Sequence, residues 1–316
     1  MAYIGELISL GVACSWTVAA LASEVASRRL GVFVMNVWRM ALALCFSALL
    51  LWYGTGSLLP VHSGVDAWAW LLLSGVVGYF FGDWCLFNSY LTIGSRFGQL
   101  FMTLAPAFTA LSAWAMLGQR LNAQSLLAMV VTMSGIGISV LGRGEGHRLS
   151  VGLPTKGVLF GHGAALGQGV GRVLSKMGLD CYEANVPSEL LPQVEGYLPF
   201  GSNLIRCVAG LVCFSTWLMM MNLRRPVEQR QTLRASLANR RGLAAMLIAV
   251  MSGPFLGVGF SLMAVQYTAA GIASTLMATT PIIILLPSRW LFGQRITLRA
   301  VLGAVISVVG VSLFFI

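Results

Sequence analysis

Residues 105–121 read APAFTALSAWAMLGQRL, and residues 280–296 read TPIIILLPSRWLFGQRI. Each stretch has a proline in second place, Pro106 or Pro281. Twelve residues further on it reaches Gly-Gln-Arg, as Gly118-Gln119-Arg120 or Gly293-Gln294-Arg295. The two stretches are related by a shift of 175 residues, and the same shift lays residues 78–141 on 253–316 without a gap. Gly78, Phe80 and Gly82 then meet Gly253, Phe255 and Gly257; Met102 meets Met277; Val130 and Gly135 meet Val305 and Gly310. Apolar sequences match by chance easily, but a proline and a Gly-Gln-Arg at one shared offset are harder to dismiss. Nearer the start of each half, Asn36-x-x-Arg39 is paralleled by Asn203-x-x-Arg206 at a slightly different offset.

The repeated material is membrane material. In 316 residues, 57% are hydrophobic and 9% charged, against roughly 25% charged in a typical soluble domain. Such a chain cannot cover a globular surface with polar groups, whereas a bilayer tolerates it. Ten apolar segments, 4–24, 32–53, 67–90, 97–117, 123–142, 157–179, 199–222, 243–265, 271–292 and 298–316, each approach the ~20 residues of a membrane-crossing helix. A β-barrel would need alternating apolar and polar positions. Stretches such as 71–81 and 300–316 are apolar or small throughout, so the expected class is all-α and integral to the membrane. The repeat divides the ten segments into two units of five, spanning residues 1–145 and 155–316. Five is odd, so the second unit must enter from the opposite face. Two inverted five-helix repeats, with a substrate site between them, are a plan of secondary transporters.

At these residues the sequence resembles the EamA-type transporters of the drug/metabolite transporter superfamily, over essentially the whole chain. The resemblance rests on the fourth helix of each unit, with its proline and its Gly-Gln-Arg end, and on Arg39 and Arg206 near the start of each second helix. It implies export or exchange of a small metabolite, in a superfamily that moves amino acids, sugars, nucleotide sugars and drugs. The family pattern carries Glu where this chain has Gln119 and Gln294. An amide does not titrate, so these two are expected to cap or bond at helix ends rather than carry protons.

The net charge of +10 sits in connectors and reads as an orientation signal, not as nucleic-acid binding. Arg28, Arg29, Arg143, Arg148, Arg224 and Arg225 fall in odd-numbered connectors. That places those connectors in the cytoplasm and both termini outside, whereas the resemblance implies both termini inside. The first seventeen residues lack a basic stretch and a cleavage site, so no removed signal peptide is expected. Six cysteines and three histidines show no metal-ligand spacing, and no catalytic constellation or ATP-binding loop is present. The expectation is therefore no enzyme, no cofactor and no metal. The protein would sit in the plasma or inner membrane as a monomer or homodimer. The rival reading is a membrane-embedded enzyme or an assembly protein.

Four charges fall deep in apolar segments: Arg39, Asp83, Arg172 and Arg206. A charge at that depth costs at least ~2.5–3.5 kcal/mol, so it should face a partner or a wet cavity. Chain tracing puts Arg39 and Asp83 in one half of the membrane, as a pair suited to proton coupling. It puts Arg172 and Arg206 in the other half, with Lys176 nearby. One reading has the two arginines bonding helix carbonyls or snorkelling outward; the other has them holding a substrate carboxylate or phosphate with their forked donors. Trp16, Trp84 and Trp114 are candidate cavity walls. Pro106 and Pro281, lacking an N–H, are expected to kink their helices around the cavity. Glycines at 78, 82, 253 and 257, and those at 161–171, suit close helix packing.

Overall fold

The computed structural model describes residues 3–118, 122–143, 149–151, 153–267, 273, 276–293 and 296–313. Gln119 and Gln294 lie outside the described residues. The first unit comprises α1 (Ile4–Leu30), α2 (Val32–Thr55), α3 (Gly64–Ser74), α4 (Asp83–Met102), α5 (Ala105–Leu117) and α6 (Ala123–Val140). The second comprises α7 (Thr155–Asn185), α8 (Leu191–Val194), α9 (Leu198–Leu223), α10 (Leu233–Leu237), α11 (Arg240–Val250), α12 (Leu256–Tyr267), α13 (Thr280–Ile283), α14 (Leu285–Phe292) and α15 (Leu298–Ser312). Between the units, β1 (Leu141–Arg143) pairs antiparallel with β2 (Leu149–Val151), a short departure from the expected all-helical chain. The long connectors expected at 180–198 and 223–242 are partly helical. α7 runs on to Asn185, and α8 and α10 fill part of each.

Apolar side chains on all faces suit helices that satisfy every backbone group internally. Among the described residues, four helical runs are long and apolar enough to cross a bilayer: Ile4–Leu30, Val32–Thr55, Gly64–Met102 and Leu191–Leu223. Ala105–Leu117, Ala123–Ser139, Thr280–Phe292 and Leu298–Ser312 are shorter apolar helices.

The repeat extends to backbone irregularities. A π-helical stretch, Gly75–Gly82, joins α3 to α4, and a second, Met251–Phe255, joins α11 to α12 at the position the repeat predicts. Gly118 and Gly293 both end their helices in the left-handed conformation, each at φ 65°, and donate to the carbonyls of Ala113 and Arg289. Such a terminus favours glycine because a Cβ would crowd the backbone. The fourth helix of each unit is broken rather than kinked. Turns at residues 103–104 and 278–279 precede α5 and α13, which start afresh with Pro106 and Pro281 in their first turns. The expected interior kink is thereby corrected: first-turn N–H groups have no helical acceptor, so proline fits there at little cost. A further bend falls inside α4 at Gly94, φ 83°.

Packing between the units is reciprocal. α1 packs on α11, α12 and the π segment between them, while α7 packs on α3 and its π segment. α2 packs on α9, and α6 on α15. Along the α6–α15 seam, Gln124 donates to the Leu313 carbonyl, Ser307 to the Thr132 carbonyl and Ser139 to the Ala300 carbonyl. Numbers rise on one helix as they fall on the other, so the pair is antiparallel. Gly135 abuts Ser307, and its repeat mate Gly310 abuts Thr132, the repeat mate of Ser307. That exchange of partners is the signature of a local two-fold axis perpendicular to both helices. Glycines bring α7 close to the first unit: a Cβ on Gly171 would lie 2.9 Å from the Gly78 Cα, and one on Gly167 would lie 2.7 Å from the Gly82 Cα.

Candidate functional site

A cavity of about 380 Å³ lies between the two units. Trp16, Ala20 and Ser23 of α1, Arg39 of α2, and Asp83, Tyr90 and Gln99 of α4 line it from the first unit. Gln168 and Arg172 of α7, with Gly253 and Pro254 of the second π segment, line it from the other. Pro106 and Pro281, at the restarts of the two broken helices, complete the wall.

Asp83 follows directly on the first π segment and is 3% exposed. Its Oδ2 accepts from Arg39 Nη2, and its Oδ1 accepts from Gln168 Nε2 at 3.0 Å. Arg39 Nε donates to Asn36 Oδ1 at 3.2 Å, and its guanidinium lies 5.0 Å from the centre of the Phe87 ring. This cation and anion are thus held by fixed neighbours from three helices, as a buried pair requires. The Asn-x-x-Arg spacing of α2 explains the asparagine contact, since i and i+3 share a helix face. A π-helix is wider than an α-helix by about one residue per turn, and Asp83 stands where that irregularity ends.

Arg172 lies one turn beyond Gln168 on α7 and is exposed to the cavity space. No hydrogen bond or ion pair engages it among the described residues. The sequence-based depth sorting grouped Arg172 with Arg206 and away from Arg39 and Asp83. In the structure Arg172 reaches the same cavity as that pair, because α7 crosses the first π segment closely where the glycines meet, just before Asp83. Lys176 does not join it; its Nζ pairs with the Asp180 carboxylate at 3.0 Å on the exposed side of α7. Arg206 lies outside this cavity, with its guanidinium 4.2 Å from the centre of the Tyr79 ring.

The tryptophans separate. Trp16 lines the cavity. Trp84 packs edge-on against Phe160 at 5.3 Å and does not line it. Trp114 is 56% exposed on the outside of α5, as expected of a lipid-facing side chain, so its reading as a cavity wall is corrected. Sequence reasoning missed Glu24, which is fully buried. Its Oε1 accepts from Arg28 Nη2 at 2.8 Å, and its Oε2 accepts from the Ser95 backbone N–H at 2.7 Å, where α4 resumes after Gly94. By composition the first apolar segment ends at residue 24, whereas α1 continues to Leu30. An acidic residue four before an arginine in a helix is the signal that marks it.

Together these groups form a space of metabolite size with one neutralised ion pair, neutral polar walls and, among the described residues, one cation without a partner. Tyr90 Oη, for example, accepts from Gln99 Nε2 at 2.6 Å. No group of three or more metal-ligating side chains occurs among the described residues.

The sequence profile of the EamA-like transporter family matches residues 3–141 and again residues 155–316. No curated protein matches the chain. The crystal structure of a protein 15% identical in sequence covers 99% of this chain and 97% of its own, with a TM-score of 0.57. At that identity the likeness is one of fold.

Proposed function

Since the chain belongs to the EamA-like transporter family, we propose that it is a secondary transporter that moves a small anionic or zwitterionic metabolite by alternating access. Residues 1–145 and 155–316 are its two five-helix units, inverted across the membrane, with ten crossings in all. The antiparallel seam of α6 and α15, with its exchanged Gly135 and Gly310 contacts, supports the inversion. If those helices cross the bilayer, an axis perpendicular to both lies in the membrane plane. The protein works in the plasma or inner membrane, as an exporter or exchanger of an amino acid or a similar compound.

The observation that carries this reading is Arg172, a cation without a hydrogen-bond or ion-pair partner among the described residues, facing a cavity whose other arginine is already neutralised by Asp83. A substrate carboxylate takes the Arg172 fork. The ammonium of a zwitterion then faces Asp83 and competes there with Arg39. Protonation of Asp83 releases Arg39, which makes the pair the candidate proton-coupling element.

Purified protein in liposomes tests the proposal with a panel of labelled amino acids and carboxylates. The parent accumulates at least one of them, and Arg172→Gln loses most of that uptake through a raised KM. Equal uptake by Arg172→Gln and parent would overturn the substrate assignment.

A further inference from the structure

A second cavity of about 230 Å³ lies beside the first, walled by Ser47 of α2, Tyr79 of the first π segment, Ser175 of α7, and Ser202, Asn203 and Arg206 of α9. Pro254 borders both cavities. Ser47 stands roughly two turns beyond Arg39 along α2, so the second cavity is displaced along the helix axes toward the other membrane face. None of its lining residues is acidic.

Among the described residues, two polar atoms of residues that line this cavity are buried without a hydrogen-bond partner: Ser202 Oγ, in a residue 4% exposed, and Arg206 Nε. Their neighbours are already engaged with one another. Tyr79 Oη donates to Asn203 Oδ1, and Asn203 Nδ2 donates to Ser47 Oγ at 2.8 Å. Leaving a buried hydroxyl and a guanidinium N–H unmet forfeits their solvation without replacement, a cost a ligand accepting from both would remove.

The repeat identifies the missing acceptor. Arg206 occupies the place in the second unit that Arg39 occupies in the first. Arg39 has Asp83 as its counter-ion, but the repeat position of Asp83 is Val258. The second unit therefore keeps the arginine and lacks its carboxylate. We propose that the second cavity is a distinct carboxylate-binding site, in which a small carboxylate occupies the place that Asp83 fills beside Arg39, accepting from Arg206 and Ser202. Two anion sites then lie in series along the helix axes, one at Arg172 and one at Arg206, separated by Pro254. The second site is independent of the proposal for Arg172.

Equilibrium dialysis of [14C]acetate against the purified detergent-solubilised protein, in chloride-free buffer at fixed ionic strength, tests this. The parent binds two acetates per chain, and Arg206→Gln binds one. Ser202→Ala keeps both sites and weakens one by about ten- to a hundredfold, the value of one hydrogen bond to a charged group. A folded Arg206→Gln that still binds two acetates overturns the proposal. If Arg206→Gln is not monodisperse, Ser202→Ala decides: weakening of one site supports the proposal, and unchanged affinity at both sites overturns it. Arg172→Gln separates the two assignments, since its unchanged stoichiometry would remove the central site while leaving that at Arg206 in place.

Discussion

The Arg39–Asp83 pair makes a quantitative prediction about what holds the centre of the protein together. The two side chains are 14% and 5% exposed, so they belong with buried pairs rather than with surface pairs of about 0–1 kcal/mol. Breaking a buried pair by removing one partner costs about 3–5 kcal/mol, because the survivor is left uncompensated. Among the described residues, Asp83→Leu leaves Arg39 hydrogen-bonded to Asn36 and set against the Phe87 face, and Arg39→Leu leaves Asp83 hydrogen-bonded to Gln168 without its paired cation. Each single variant is therefore expected to lose about 3–5 kcal/mol. Replacing both together removes the buried charges at similar volume and is expected to return within about 1 kcal/mol of the parent or above it. The measurement is unfolding in mixed micelles, followed by tryptophan fluorescence and completed as a double-mutant cycle. Additive single losses in the double variant, or an Asp83→Leu protein as stable as the parent, would refute the reasoning.

Two further outcomes follow from the same geometry. Asp83→Asn keeps the shape and one acceptor oxygen, enough for Arg39 while Gln168 must turn its amide oxygen toward the new NH2; it cannot titrate, so it should still exchange substrate in liposomes while losing stimulation by a pH gradient, and undiminished stimulation would move the coupling step elsewhere. Gly135→Ala places a Cβ 2.7 Å from the Gly303 carbonyl, against backbone that cannot yield, and should cost about 1–3 kcal/mol, whereas Gly11→Ala, with nothing within 4 Å, should be neutral or stabilising in the same melting assay.

The repeat was legible because it is written in residues whose backbone demands are narrow. Proline fits the first turn of a helix, and glycine fits a left-handed terminus, so Pro106 with Gly118 and Pro281 with Gly293 mark the same architecture twice. The charges were legible for a related reason, since few apolar helices carry Arg or Asp at depth. Their partners were harder to read. Chain tracing paired Arg39 with Asp83 from their depth alone, but it separated Arg172 from them. How far a side chain reaches across a helix crossing depends on glycines 167 and 171 meeting glycines 82 and 78. Periodicity also could not locate the breaks at 103–104 and 278–279, which fall before the prolines, or the π segments, whose sequences look like ordinary apolar helix. Glu24 was overlooked because its acceptor role depends on the backbone of Ser95, 71 residues away.

The alternating access proposed above requires some contacts between the units to open while others hold, and the two repeat-related crossings differ in how closely they are packed. The crossing of α7 on the first π segment is tight, with backbone meeting backbone at Gly78–Gly171 and Gly82–Gly167. The equivalent crossing of α1 on the second π segment brings side chain rather than backbone of α1 against the glycines, and is looser at Gly253: among the described residues the Ala19 Cβ, at 3.5 Å, is what comes within 4 Å of an added Cβ there, while one on Gly257 would overlap Trp16 Nε1. The central cavity lies along this looser crossing, since Trp16, Ala19, Gly253 and Pro254 all line it. A two-fold pair of interfaces in unequal states is what one end-state of a rocking transporter would present, and exchange of those states would move α1 against the π segment. The 3.5 Å separation falls within the 3.5–4.5 Å range of Cβ atoms in disulfides. In a background with all six native cysteines replaced, two of which, Cys14 and Cys45, are exposed, the pair Ala19→Cys and Gly253→Cys should therefore cross-link under mild oxidation. The bond should arrest transport, and a reductant should restore it, while neither single variant responds to oxidant. A fully cross-linked protein that transports at the reduced rate constant would show that α1 and the π segment move as one body, and the moving surface would have to be sought at another crossing.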